Sequence, residues 1–254
     1  MSSLENKVAI VTGASSGIGR AAAKLFADEG ARVVISARRE KELNELVDEI
    51  RASGGEAVAY SGDVADEACA KALVDLAVSR FGGLDIALNN AGIIGDLCGV
   101  PDMSLKNWER TISVNLTSGF LGAKYQIPEI MKRGGGAIVF TSSFVGHTTG
   151  MPGMAAYGAS KAGLVGLTLG LASELGQHGI RINALLPGGT DTAMAREVAN
   201  TPEIEAYVRN LHAMRRTASP DEIARAALFL ASDASGFTTG HALVVDGGFS
   251  VHRA

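Results

Sequence analysis

Residues 7 to 29 constrain this chain more than any other stretch. Lys7 to Val11 is a short β-rich apolar run. The turn Thr12-Gly13-Ala14-Ser15-Ser16-Gly17-Ile18-Gly19 follows at once, and a helical stretch continues from about Ile18 to Glu29. A strand that feeds a glycine-rich turn and then a helix opens a βαβ unit. The chain keeps that alternation. Arg32 to Ser36, Glu56 to Tyr60, Asp85 to Leu88, Ala137 to Thr141, Arg181 to Leu185 and Ala242 to Val245 read as further strands. Helices fit at Glu40 to Ala52, Asp66 to Phe81, Ser104 to Met131, Ala156 to His178 and Pro220 to Ala231. This pattern predicts an α/β protein with a parallel sheet of about seven strands and helices on both faces.

Composition removes several function classes. The 254 residues carry a formal net charge of −4, so the basic footprint of a nucleic-acid binder is missing. Aromatic residues make up 5%, which leaves the core to Ala, Val, Ile and Leu. The longest stretch free of Asp, Glu, Lys and Arg, Gly134 to Ser160, is rich in Gly, Ser and Thr and holds Pro152, unlike a membrane span. Neither nucleic acid nor membrane is expected as a partner. The start MSSLENKVAIVTG lacks the charged, apolar and small-residue order of a signal peptide. Cys69 and Cys98 are too few for a disulfide scaffold. A cytoplasmic location is therefore expected. No two of the five histidines have a ligand spacing on one helix, and no metal site is expected.

Two local patterns carry chemistry. Glycines after a strand let the backbone approach a pyrophosphate at a helix N-terminus. The spacing G-x-x-x-G-x-G fits a dinucleotide turn, and a merely glycine-rich connection is its alternative. In Tyr157-Gly158-Ala159-Ser160-Lys161, positions i and i+4 share one helix face, so a phenol and an ammonium can be neighbours. A nearby cation favours phenolate and would lower the phenol's pKa from about 10. A solvated face is the alternative, but Gly153 to Lys161 has no other charge. The segment Pro187 to Pro220 is the least regular. It follows a strand and reads as a mobile substrate lid or as a long surface connection.

With both patterns in place, the sequence resembles the short-chain dehydrogenase/reductase family over nearly its whole length. The T-G-x-x-x-G-x-G turn, Asp63-Val64, Asn89-Asn90-Ala91-Gly92, Asn115, Ser142-Ser143, Y-x-x-x-K and Pro187-Gly188 occur in family order. The resemblance implies a single Rossmann-type, doubly wound domain over residues 1–254. It implies reversible hydride transfer between NADP(H) and a carbonyl or secondary alcohol. Tyr157 would exchange the proton, Lys161 would lower its pKa and hold the nicotinamide ribose, Ser143 would bond the substrate oxygen, and Asn115 would anchor a water. Cofactor contacts would come from Gly13, Ser15, Ser16, Gly17, Ile18 and Gly19 in the turn. Asp63 and Val64 would meet the adenine, and Asn89, Ala91 and Gly92 the adenosine side. Ile18, Pro187, Gly188, Thr190 and Thr192 would lie toward the nicotinamide and pyrophosphate, Thr190 meeting the carboxamide through its backbone.

The second strand speaks to cofactor choice. Enzymes of this fold that use NAD usually end it in an acid that binds the ribose 2′-hydroxyl. Here Ala37 stands at that position and Arg38-Arg39 follow. A guanidinium suits a 2′-phosphate, so NADP(H) is expected ahead of NAD(H), with Arg38 contributing more than Arg39. Ser143 to Tyr157 is one residue longer than the commonest family spacing, with the insertion expected in His147 to Met151 and Ser142 as an alternative to Ser143. Loops Ile93 to Asp102, Ser143 to Met154 and Thr190 to Met214 should enclose a small-molecule substrate. A 3-oxoacyl-thioester reductase remains a rival, with Lys132, Arg133, Arg196, Arg209, Arg215 and Arg216 as a candidate basic patch. So does a dinucleotide-binding sensor without catalysis. A homotetramer is expected from the family resemblance and from the charge-free helical run Leu164 to Ala172.

Overall fold

The computed structural model describes residues 2–252. In chain order the elements are β1 (Val8–Thr12), α1 (Gly17–Asp28), β2 (Arg32–Ala37), α2 (Glu40–Ala52), β3 (Glu56–Ser61), α3 (Glu67–Phe81), β4 (Ile86–Asn89), α4 (Leu105–Ile112), α5 (Ser118–Lys132), β5 (Gly136–Thr141), α6 (Ala155–Leu175), β6 (Ile180–Pro187), α7 (Ala193–Val198), α8 (Pro202–Asn210), α9 (Pro220–Ala231) and β7 (Ala242–Val245). The strands form one sheet in the order β3-β2-β1-β4-β5-β6-β7, and every pairing is parallel.

All five residues of β1 are buried, as a central strand covered on both faces requires. Side chains alternate across the sheet, so Ala9 and Val11 join Phe26, Leu43 and Ile223 under α1, α2 and α9. Val8 and Ile10 face the other way and join Leu73, Ile130 and Leu164 under α3, α5 and α6. Strand order reverses between β1 and β4. Ligands of such sheets bind at the carboxyl ends beside that reversal.

Strand and helix positions agree with the sequence reading to within a residue or two, with two departures. The helix expected over Ser104 to Met131 is interrupted by a π-helical turn at Ser113–Thr117, which holds Asn115. One extra residue in the turn re-aims side chains, and such turns recur at functional sites. The segment expected to be irregular between Pro187 and Pro220 instead holds α7 and α8. Thr192 and Thr201 cap them, accepting from the N–H of Ala195 and Ile204. The sign was present, since Thr201-Pro202-Glu203 repeats the start pattern of Ser219-Pro220-Asp221.

Candidate active site and nucleotide cradle

The glycine turn is built for close approach. A Cβ on Gly19 would lie 2.4 Å from the Gly13 carbonyl oxygen, so α1 can start against the turn only with glycine there. Thr12 Oγ1 accepts from the backbone N–H of Asn90 (2.9 Å) and Ala91 (3.1 Å), which ties the ends of β1 and β4 together. Gly92 leaves a gap that a Cβ would fill, at 3.2 Å from both Asn115 Oδ1 and Lys161 Nζ. These cradles fit a dinucleotide, with bare backbone at a helix N-terminus and the phenol and ammonium nearby.

The two arginines after β2 diverge. Arg39, not Arg38, reaches the turn: its Nη2 donates to Ser15 Oγ and Ser16 Oγ, both at 2.9 Å. Arg38 is exposed and lies toward Asp63. Asp63 accepts from Ala65 N–H (3.0 Å) and Arg110 Nη2 (2.6 Å). Burial pushes its pKa up, but these partners outweigh that and hold it below the usual carboxylate range. Val64, Thr12, Cys69 and Asn89 line a cavity of about 20 Å³ beneath this corner. The Asn89 side chain is committed to Gln126, in a reciprocal pair of 2.9 Å bonds, so its contribution to a ligand is confined to the backbone. Arg110 and Gln126 had no sequence signal, because each acts across the fold.

Tyr157 and Lys161 sit in the first two turns of α6. Lys161 is buried and donates to the Thr141 carbonyl at 2.7 Å, and its Nζ lies 5.8 Å from the centre of the Tyr157 ring. Burial pushes the ammonium down to about 8. Burial also pushes the Tyr157 phenol up, while the Ser143 hydroxyl pulls it down. The lowering by Lys161 expected from the i, i+4 spacing does not appear, because the ammonium is directed to Thr141 and not to the phenol oxygen. Ser143 Oγ accepts from Val145 N–H at 3.1 Å, which leaves its own proton free to donate.

Asn115 is 1% exposed and holds Ile93 at both backbone atoms, with 2.8 Å bonds to N–H and C=O. Its Nδ2 also donates to Ser160 Oγ at 2.9 Å. The side chain is thus spent on fixing the loop after β4. That loop meets the one after β5 where Cys98 N–H donates to the Gly153 carbonyl at 3.3 Å. His147 is exposed in the tight turn that follows Val145.

After β6, Gly188 N–H donates to Val245 O at 2.9 Å, and Thr190 Oγ1 donates to Gly188 O at 3.0 Å. Thr192 spends its hydroxyl on capping α7 and turns its methyl toward Gly17. Ile18 packs partly buried against the core under α1. Trp108 is 39% exposed on α4, away from a core role.

A family model described as enoyl-(acyl carrier protein) reductase matches residues 13–250. A cyclohexanol dehydrogenase from Acinetobacter is 42% identical over 245 residues, 96% of this chain and 95% of that protein. The chain belongs to the short-chain dehydrogenase/reductase family. A 2,5-dichloro-2,5-cyclohexadiene-1,4-diol dehydrogenase from Sphingobium indicum is 42% identical over 252 residues, 98% of this chain and 99% of that protein. A provisionally assigned NAD(P)-dependent gluconate 5-dehydrogenase from Beutenbergia cavernae, solved with NADP at low occupancy, superposes with a TM-score of 0.93. It shares 37% identity and the match covers 98% of this chain and 99% of that one. As a member of this family the protein is an oxidoreductase of CH–OH groups that uses a nicotinamide dinucleotide. The dinucleotide supplies the hydride acceptor or donor. Among the described residues no helix is long and apolar enough to cross a membrane.

Proposed function

We propose that this enzyme interconverts a neutral secondary alcohol and its ketone with NADP(H), using Tyr157 as proton donor and acceptor. The observation that carries this is the convergence of the Tyr157 phenol, the Ser143 hydroxyl and the buried Lys161 ammonium at the carboxyl ends of the strands. Hydride transfer to a carbonyl builds negative charge on its oxygen. Ser143 donates a hydrogen bond to that oxygen and Tyr157 donates the proton. In the reverse direction Tyr157 withdraws it. Lys161 holds the ribose hydroxyls and reaches them from beneath the ring of Tyr157. Asn115 keeps the Ile93 loop in register above them. Thr190 meets the nicotinamide carboxamide through its backbone, and Asp63 the adenine.

A neutral substrate is favoured because five of the six cations that could bind an acyl carrier are ion-paired within the chain. Lys132 pairs with Glu129 at 2.6 Å, Arg133 with Asp85 at 3.0 Å, Arg196 with Asp191 at 3.2 Å and Arg209 with Glu205 at 2.8 Å. Arg216 pairs with Glu222 at 2.7 Å, and Arg215 donates to the Asn210 carbonyl at 2.8 Å. Relatives named for cyclohexanol and for a chlorinated cyclic diol point the same way. The test is a panel of cyclohexanol, a cyclic diol, gluconate and a 3-oxoacyl thioester, followed by nicotinamide absorbance. Turnover should be best on the ring alcohols. Tyr157→Phe should lower it about 10²–10⁴-fold. Preference for the thioester, or full activity in Tyr157→Phe, would overturn the assignment.

The enzyme assembles as a homotetramer in this reading. The sheet covers Leu164, Thr168 and Ala172 of α6, while Ala162, Gly166, Leu169 and Gly170 lie bare on its outer face. Small residues allow a second helix to approach closely. Light scattering that gives a monomer at micromolar concentration would reject this. Free thiols at Cys69 and Cys98 suit a cytoplasmic setting.

A further inference from the structure

His212 lies outside every motif discussed above, and it is 1% exposed. It belongs to the segment just after α8. Its Nδ1 lies 2.8 Å from the Val208 carbonyl oxygen, and its Nε2 accepts from the Gly189 N–H at 3.1 Å. A carbonyl can only accept, so Nδ1 carries the proton and Nε2 is the bare acceptor. The two partners fix one neutral tautomer.

The contacts around the ring are equally specific. Gly189 lies flush on the imidazole, where a Cβ would come 2.7 Å from the ring carbon Cε1. Phe249 packs edge-on against His212 at 5.3 Å between centroids, and Phe144 against Phe249 at 4.6 Å. Phe144 follows Ser143 directly. Nearby, Met214 N–H donates to Gly247 O at 3.1 Å. The imidazole therefore joins α8, the turn after β6 and the C-terminal segment at one point. At its other end the turn is tied by the bridge between Thr190 and Ala218, just before α9.

We propose that His212 is a positioning residue for the cofactor: it pins the Gly188–Thr190 turn from below and locks α8 onto it. The proposal rests on the reading that Thr190 meets the nicotinamide. Loss of the pin leaves the Gly189 N–H without its acceptor and frees the covering helices from the turn. Binding of the nicotinamide half of the cofactor then weakens, while the chemistry on Tyr157 is untouched.

His212→Phe keeps the ring and its packing but has no acceptor, and His212→Gln can present an oxygen near the place of Nε2. Three readouts separate the cases. Hydrogen exchange at the Gly189 amide should speed up at least tenfold in His212→Phe and return toward the wild-type rate in His212→Gln. The KM for NADPH should rise roughly tenfold in His212→Phe with kcat changed less than threefold. Affinity for adenosine 2′,5′-bisphosphate, which lacks the nicotinamide half, should not change. Unchanged exchange at Gly189 would overturn the pin itself. Faster exchange with an unmoved KM would overturn the cofactor role and leave the pin in place. If His212→Phe does not fold, a His212→Gln variant with a raised KM and fast Gly189 exchange supports the role. His212→Gln indistinguishable from the wild type in both, beside an unfolded His212→Phe, would make the acceptor a requirement of folding and overturn the cofactor role. Equal loss of fragment and NADPH binding would overturn it.

Discussion

The Ser142 hydroxyl donates to the Lys161 carbonyl at 2.7 Å, which fastens the end of β5 to the second turn of α6. Ser143, one residue on, uses its oxygen as an acceptor for the Val145 N–H and keeps its proton for the Tyr157 side of the site. Adjacent serines therefore do different work. Ser143→Ala should lower kcat about 10²–10³-fold with little change in melting temperature. Ser142→Ala should cost about 1 kcal/mol of stability and change kcat less than tenfold. Steady-state kinetics beside thermal denaturation will decide, and the opposite pattern would make Ser142 the donor.

Lys161 gives a pH signature of its own. Burial holds its ammonium at about 8, below the ordinary lysine value of about 10.4. Between those values the unfolded chain keeps a proton that the folded chain has released, so folding becomes more favourable as pH rises. The burial penalty is full below pH 8 and gone above about pH 10.5. Without cofactor, the wild type should thus gain about 2–4 kcal/mol relative to Lys161→Met across this window. Denaturant midpoints of both proteins, taken from pH 7 to 10.5, test it. A flat difference would mean that the folded lysine keeps its usual basicity.

Asn115 does structural work at the candidate site. Asn115→Leu would leave the half-buried Ile93 N–H and carbonyl without their partners. Each such group costs about 1–3 kcal/mol, so the melting temperature should fall by about 4–24 °C. A melting temperature within about 2 °C of wild type would show that water or a neighbour satisfies both atoms.

Legibility in the sequence followed the range of the interactions. Helix α9 was legible because Ser219, Pro220 and Glu222 form a capping box from four consecutive positions, and both halves of the box are present. β7 was legible from a single apolar run between turns. The π-helical turn was not, because the apolar period of α4 and α5 runs on through Ser113–Thr117 and no residue type marks the slip. The site divided in the same way. Tyr157 and Lys161 declare themselves by spacing along one helix. His212 meets Gly189 across 23 residues, Arg110 meets Asp63 across 47, and Asn89 meets Gln126 across 37. None of these pairs has a local signal. The sequence puts Arg38 ahead of Arg39, but it carries no sign of which one reaches Ser15 and Ser16.

That difference sets the last prediction. Ala37 ends β2 buried and offers no acceptor for a ribose 2′-hydroxyl. Ser16 carries no charge, but Arg39 brings a guanidinium onto Ser15 and Ser16. The glycine turn thus holds a guanidinium borrowed from the start of α2, whose Nε also lies 3.6 Å from Glu42 Oε1. Arg38, exposed beside it, can add a second. A 2′-phosphate placed there gains charge-assisted bonds worth about 1.5–3 kcal/mol each, or roughly 10- to 100-fold in affinity. NADPH should therefore be used with a kcat/KM about 10- to 100-fold above that of NADH. Arg39→Ala should erode the preference more than Arg38→Ala, which reverses the order expected from the sequence. Ala37→Asp should move it toward NADH by repelling the phosphate and offering an acceptor to the hydroxyl. The measurement is kcat/KM for both cofactors in the four proteins. Equal use of NADH by the wild type would reject NADP(H) preference, and a larger effect from Arg38→Ala would return the leading role to that residue.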